Sequence, residues 1–213
     1  MKKTTIYFCL MILSGSLFAQ GLKSIVLNPP DLKRGLPVME ALSLRASASE
    51  FTGKKLSLQD LSDLLWAANG VNRKEIGKRT APSAMNSQDI DVYVFTEEGA
   101  YLYDAIGNVL NPVAEGDQRT LVAGSQEKFA KAAVILLMVS DISRFKSGDE
   151  PSKLSLAAYD AGIVSQNISI FCAGTGFNTR PRATMDFEKL RSVLHLKDSQ
   201  HLMLNNPVSY KNE

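Results

Sequence analysis

The sequence predicts one α+β domain, a central and mostly antiparallel sheet flanked by helices, spanning residues 20–213 behind a short leader. Three stretches carry that expectation. Asp91–Thr96 and Ala100–Asp104 are β-rich runs separated by a Glu98-Gly99 turn, the pattern of a hairpin. Ala133–Val139 is a continuous apolar run, too short to cross a membrane and suited to a strand buried on both faces. Pro151 opens a long helical stretch reaching about Ala173, apolar around most of its circumference.

The leader comes first. Lys2 and Lys3 precede an apolar run from Ile6 to Leu13, and small residues lead to Ala19. This is the layout of a secretory signal over residues 1–19, so the mature chain is expected to be exported to the periplasm with no membrane span. The formal charge of +2 includes both leader lysines, leaving the mature chain near neutral. Nucleic acid is therefore not an expected partner. One cysteine, Cys172, remains after cleavage, which excludes an intramolecular disulfide despite the oxidising compartment.

Pro37 can open a short helix with Val38, Ala41 and Leu42 as its apolar face, ending near Arg45. If the chain is extended beyond it, Arg45, Ser47 and Ser49 point the same way, a guanidinium and hydroxyls suited to a phosphate. A polar surface loop has the same composition. Ser57 with Asp60 forms a capping box variant, and Asn69-Gly70 ends the helix that carries Leu58, Leu61, Leu65 and Ala68. Trp66 in its last turn fits either core packing or stacking on a ring. Val71–Lys78 reads as an exposed loop.

Arg79–Phe95 is the richest stretch. Pro82 stiffens a segment in which Ser83, Asn86 and Gln88 offer hydroxyl and amide groups, and a strand follows at once. Asn111–Gly124 reads as irregular, with Ser125 capping a helix over Glu127–Lys131. Leu154, Ala157, Ala161, Val164, Ile168 and Phe171 line one side of the long helix, while small residues at 157, 158, 161 and 162 permit close backbone approach. A core helix and a subunit interface both fit. Gly174 and Gly176 end it. Phe177–Arg182 and Gln200–Leu204 read as short strands, Thr184 as the cap of a helix over Met185–Leu194, and Asn205-Asn206-Pro207 as a turn. No metal-ligand spacing, nucleophile elbow or P-loop occurs.

Arg-Thr-Ala-Pro-Ser-Ala-x-Asn-x-Gln before a Tyr-Val strand resembles the flavin-contacting segment of the nitroreductase superfamily, including its SagB-type dehydrogenases. Arg45-x-Ser47-x-x-x-Phe51 and Asp160-Ala161-Gly162-x-x-x-Gln166-Asn167 match further family motifs in the same order. The resemblance covers Pro37–Pro207. It implies the nitroreductase-like FMN fold, a homodimer joined along the long central helix, and FMN as cofactor. It places the FMN contacts at Arg45, Ser47, Ser49, Pro82, Ser83, Asn86 and Gln88. Backbone at Ala183 and Thr184 would lie near flavin N5, with Lys211 as a further phosphate contact. A small organic molecule or a peptide is the implied substrate. No catalytic side chain is singled out.

Ser49 departs from the family, which carries a base there. A cation about 5 Å from the reduced flavin, at an effective dielectric of ~20, is worth roughly 3 kcal/mol. For a two-electron couple that is on the order of 70 mV. Arg79, Arg180, Arg182 and Lys211 are candidates to replace it. Ser49 and the export signal together leave a second reading open, a family member that binds a ligand or partner without redox work.

Overall fold

The computed structural model describes residues 21–211, so the leader expected at 1–19 lies outside the described residues. Its frame is a seven-stranded sheet, antiparallel at every pairing. The strands are β1 (Ile25–Val26), β4 (Ile90–Phe95), β5 (Gly99–Asp104), β6 (Val109–Glu115), β7 (Val134–Asp141), β8 (Phe177–Thr179) and β9 (Gln200–Tyr210), in the order β1-β6-β5-β4-β7-β9-β8. A separate hairpin joins β2 (Val71–Arg73) to β3 (Lys78–Arg79). The helices are α1 (Val38–Leu44), α2 (Leu58–Asn69), α3 (Arg119–Ala123), α4 (Glu150–Thr175) and α5 (Phe187–Val193).

Period-two alternation in β4 and β7 explains the two cores. Val92, Val94, Leu136 and Met138 meet α2 and α4 on one face; Tyr93, Phe95, Ile135, Leu137 and Val139 meet α3 and α5 on the other. Both faces of β7 are covered, which is why its sequence is an unbroken apolar run. α2 starts where the Ser57 hydroxyl accepts the Asp60 N–H at 3.1 Å, as expected. It stops at Gly70, where a Cβ would lie 2.6 Å from Trp66. α4 is capped by the Asp149 carboxylate and ends at Gly176, whose φ of 81° favours glycine.

Several local expectations are corrected. Residues 71–79 form the β2–β3 hairpin instead of an open loop. Residues 111–124 hold most of β6 and all of α3. Pro112 is tolerated in β6 because two-residue β1 pairs only with Val109 and Leu110, leaving no strand opposite its missing N–H. Ser125 caps nothing; a 3₁₀ turn over Glu127–Lys131 starts after Gln126. α5 is capped by Asp186, whose side chain accepts the Lys189 N–H, and not by Thr184.

Asn205-Asn206-Pro207 lies inside β9 and is not a turn. Asn205 exchanges both backbone hydrogen bonds with Arg182, at 2.8 and 2.7 Å. By alternation the Pro207 nitrogen faces the same side, where the chain at Arg180-Pro181 has left the ladder. A bulge at Met203-Leu204 sets this register, three residues of β9 spanning two of β7.

The apolar face assigned to α1 is also corrected. Ala41 is buried against α4, but Val38, Met39, Leu42 and Leu44 are exposed. α4 buries one face, with Ala158, Tyr159 and Gln166 exposed on the other.

Candidate functional site

The site begins with the arm that follows α1. Ala48 donates its N–H to the Thr179 carbonyl at 2.9 Å, pinning the arm to the end of β8. Ala48 packs inward while Arg45, Ser47 and Ser49 are exposed, the alternation that extended chain demands. Their side chains make no hydrogen bond or ion pair among the described residues.

Beyond β8 the chain crosses to Arg182, which is 6% exposed. Its guanidinium donates to Val122 O, Ala123 O, Asn205 Oδ1 and Gln126 Oε1, and lies 4.5 Å from the Phe129 ring centre. Burial, aided by repulsion from Arg180, pushes its pKa down. The result is a fixed strut, and Ala183 and Thr184 sit on it. Both are exposed, and their N–H groups have no partner among the described residues; Thr184 O accepts from Asn205 Nδ2 at 3.2 Å. This loop and residues 125–129, which lead into the 3₁₀ turn, line an open cavity of about 530 Å³.

Arg180 lies between the arm and this cavity. Its Nη1 donates to Ala48 O at 3.4 Å and its guanidinium is 5.8 Å from the Phe129 ring centre. It has no carboxylate partner among the described residues. Lys211 is exposed beside a small cleft of about 90 Å³ lined by Leu44, Ala46, Ala48, Asn178 and Thr179. Lys128 is a third cation over Phe129, at 5.2 Å. The 125–129 turn is a cavity wall that the sequence did not mark. Its one visible signal was a basic and aromatic pair, Lys128-Phe129, between polar residues.

Ser83, Asn86 and Gln88 lie elsewhere. Their turn is fastened to α4 by the Ala84 N–H, which meets both Asp160 carboxylate oxygens at 2.9 and 3.1 Å. The Ser83 hydroxyl accepts the Gln88 N–H at 2.8 Å. Gln88 is used within the turn: its Oε1 accepts from Arg79 Nε and its Nε2 donates to Gly77 O. Pro82 and Asn86 are exposed, and the Asn86 amide is unpartnered among the described residues. Met85, Asn86 and Gln88 all have positive φ, 47–53°, an arrangement that non-glycine residues keep only where their surroundings hold it.

The two groups do not meet within one chain. The turn is tied to Asp160, whereas Leu36 at the head of α1 donates to Gly174 O at 3.0 Å. Fourteen residues of helix at 1.5 Å each separate these anchors by about 21 Å. Of the candidates to replace a base at position 49, Arg79 belongs to the far end and Arg182 is committed to its strut. Arg180 and Lys211 remain on the near side.

The near end fits a phosphorylated, amide-edged ring such as FMN. It offers a free guanidinium, hydroxyls, a lysine, free backbone donors and an aromatic-floored cavity. Cys172 is buried, and burial pushes its thiol up, so it is a packed group with no nucleophilic role. Trp66 donates its Nε1–H to Val71 O at 3.1 Å and faces the hairpin, not this cavity.

Comparison with known proteins agrees with this architecture. Residues 42–210 match the nitroreductase family model. A candidate nitroreductase of Methanocaldococcus jannaschii is 27% identical over 194 residues, covering 86% of this chain and 96% of its own. The crystal structure of a candidate nitroreductase from Ralstonia eutropha superposes with a TM-score of 0.83 at 31% identity, covering 89% of this chain and 90% of that one. A candidate NAD(P)H:FMN oxidoreductase of Staphylococcus epidermidis shares the fold at 12% identity, with a TM-score of 0.64 and coverage of 84% and 89%. The chain belongs to the nitroreductase family. Membership makes it an oxidoreductase of the flavin-using type at the coarse level.

Proposed function

We propose that this protein is an FMN-dependent oxidoreductase that passes hydride or electrons between a donor and a small organic or peptide substrate, and that it works as a homodimer. The observation that carries this reading is the separation of two incomplete half-sites, one tied to the middle of α4 at Asp160 and one to its C-terminal end at Gly174, beside an exposed apolar ridge. A two-fold copy packed with its α4 antiparallel would bring the Arg45 end of one subunit to the Asn86 end of the other. The same packing would cover Val38, Met39, Leu42 and Tyr159, which are 60, 74, 44 and 67% exposed.

FMN, when bound, supplies the hydride and electron transfer chemistry. The chain supplies binding and orientation. Arg45, Ser47 and Lys211 hold a phosphate, and the Ala183 and Thr184 N–H groups donate toward a ring edge. Ser83 and Asn86 of the partner would close the site from the other side. Arg180 replaces the base missing at position 49, because it stands beside the Ser47–Ser49 arm with no counter-ion. Export to the periplasm, which we propose on the leader, places the donor outside the cytoplasmic nicotinamide pool.

The test is direct. Mature protein is purified and its flavin absorbance, FMN affinity and sedimentation are measured. Bound or tightly rebinding FMN in a dimer is expected. A colourless protein that fails to bind added FMN ends the oxidoreductase reading and leaves a binding module on the same fold.

A further inference from the structure

Two carboxylates lie beneath the Ser83–Gln88 turn: Asp160, which anchors it, and Asp89, which has no role in the reading above. Asp89 is fully buried at the head of β4, and Asp160 on α4 is 3% exposed. Asp89 accepts the Ser87 hydroxyl at 3.0 Å and the Ser140 hydroxyl at 2.6 Å. Asp160 accepts the Ala84 N–H, and the two aspartate side chains stand within hydrogen-bond reach of each other. Carboxylates in contact and shut from water do not both ionise; one keeps a proton and donates it to the other.

We propose that Asp89 and Asp160 share one proton, and that this proton fastens the Ser83–Gln88 turn to α4 as a positioning pair for the amide-bearing half of the site. The strained φ angles at Met85, Asn86 and Gln88 require such a fastening. Burial first, then the neighbouring Asp89, pushes the Asp160 carboxyl up to about 7.

The other ionisable groups around the pair are accounted for. The turn itself carries none. Arg144, on the 3₁₀ turn after β7, feels Asp89 but is paired with Asp91 at 2.6 Å and lies 3.8 Å from Asp141. Arg79 on β3 bonds to Gln88 and the Asn69 carbonyl. His201 on β9 lies across from Ser140. Asp91 and Asp141 are the carboxylates that Arg144 faces.

Opening the turn exposes Asp160 to water and returns it toward the ordinary carboxylate range. The open form then binds fewer protons than the closed one. Opening grows with pH by up to about tenfold per unit until the pair's own midpoint, and levels off above it. Asp160→Asn fixes the closed arrangement, since its amide donates to Asp89 while its oxygen still accepts from Ala84.

The experiment is hydrogen exchange at Ala84–Gln88 in the FMN-free full-length mature protein between pH 5 and 8, corrected for intrinsic chemistry. Wild type is expected to lose about tenfold or more of its protection across that range. Asp160→Asn is expected to show a flat profile, and Asp89→Asn, which leaves Asp160 buried, a shallower one than wild type. Parallel profiles in wild type and whichever variant folds, or a flat wild-type profile, overturn the proposal. FMN affinity over the same range is expected to follow the exchange profile, a consequence that rests on the flavin reading. Exchange in the FMN-free protein does not, so the two can fail separately.

Discussion

Replacing Arg182 with methionine tests whether the strut beneath the Ala183–Thr184 loop is held by hydrogen bonds or merely filled. The guanidinium serves three acceptors with little access to water, Asn205 Oδ1 at 2.7 Å, Ala123 O at 2.7 Å and Val122 O at 3.3 Å, plus the exposed Gln126. Ala123 O keeps the Gln126 N–H at 3.2 Å, but Asn205 Oδ1 and Val122 O are left unpaired, at about 1–3 kcal/mol each. Against this, the variant no longer buries a charge without a carboxylate, a gain of several kcal/mol at most. Methionine keeps contact with Phe129. The balance is a loss of roughly 2 kcal/mol, or about 6 °C in Tm for a chain of this length. Arg180→Met, at an unpaired and half-exposed position, is the control and should stay within ~0.5 kcal/mol of wild type. Thermal and urea unfolding read both. A Tm within about 2 °C of wild type for Arg182→Met would show that the acceptors are satisfied without the guanidinium.

Four further outcomes are expected. Gly70→Ala should destabilise by about 1–3 kcal/mol in urea unfolding, because the added Cβ meets Trp66 backbone at 2.6 Å. Arg180→Gln should lower the midpoint potential of bound flavin by tens of millivolts, up to about 70 mV, in spectroelectrochemical titration. Leu42→Asp should shift the protein to monomer in sedimentation and weaken FMN binding together, since both depend on the same face. Asp60 should contribute acid sensitivity. Burial would raise its pKa, but hydrogen bonds from Ser57, Tyr210 and Arg34 outweigh that and hold it below the usual range. Its stabilisation is therefore present above the unfolded value and lost as pH falls through the folded one, and Asp60→Asn should flatten acid unfolding in that window.

The sheet and its helices were legible wherever one physical signal dominated. Alternation placed β4 and β5, the unbroken apolar run placed β7, and Ser57 with Gly70 bounded α2. What was missed shares one cause: a local signal overruled by a distant partner. Pro112 and Asn205-Asn206-Pro207 punctuate a chain read locally. In the fold, Pro112 faces an open sheet edge and Pro207 faces the gap left at Arg180-Pro181. Thr184 is a good cap residue, yet Asp186 two positions on makes the bond. The Asp89–Asp160 contact leaves no local trace, because its members come from a strand and a helix far apart in the chain. Individual site residues were readable as types, a guanidinium here and an amide there. Their grouping was not, because it depends on where along α4 each is tied.

That dependence bears on why α4 is long and why one face of it is bare. A helix of 26 residues spans about 39 Å, more than β7 needs for cover, since eight residues of strand run only about 27 Å. Along it the Asp160 and Gly174 anchors stand about 21 Å apart. If both half-sites were meant to act within one chain, this distance would defeat them. Ala157 and Ala161 are spent on the chain's own core, while Ala158 and Gly162 stay at the surface. If they act across a two-fold axis, the distance sets where each half-site meets its complement. Close backbone approach at Ala158 and Gly162 then lets the helices pack. Gly162 has nothing within 4 Å of an added Cβ in the single chain. Gly162→Leu should therefore leave monomer stability nearly unchanged while blocking dimer formation and FMN retention. A variant that dimerises and holds FMN like wild type would place the axis elsewhere and dissolve the link between the two half-sites.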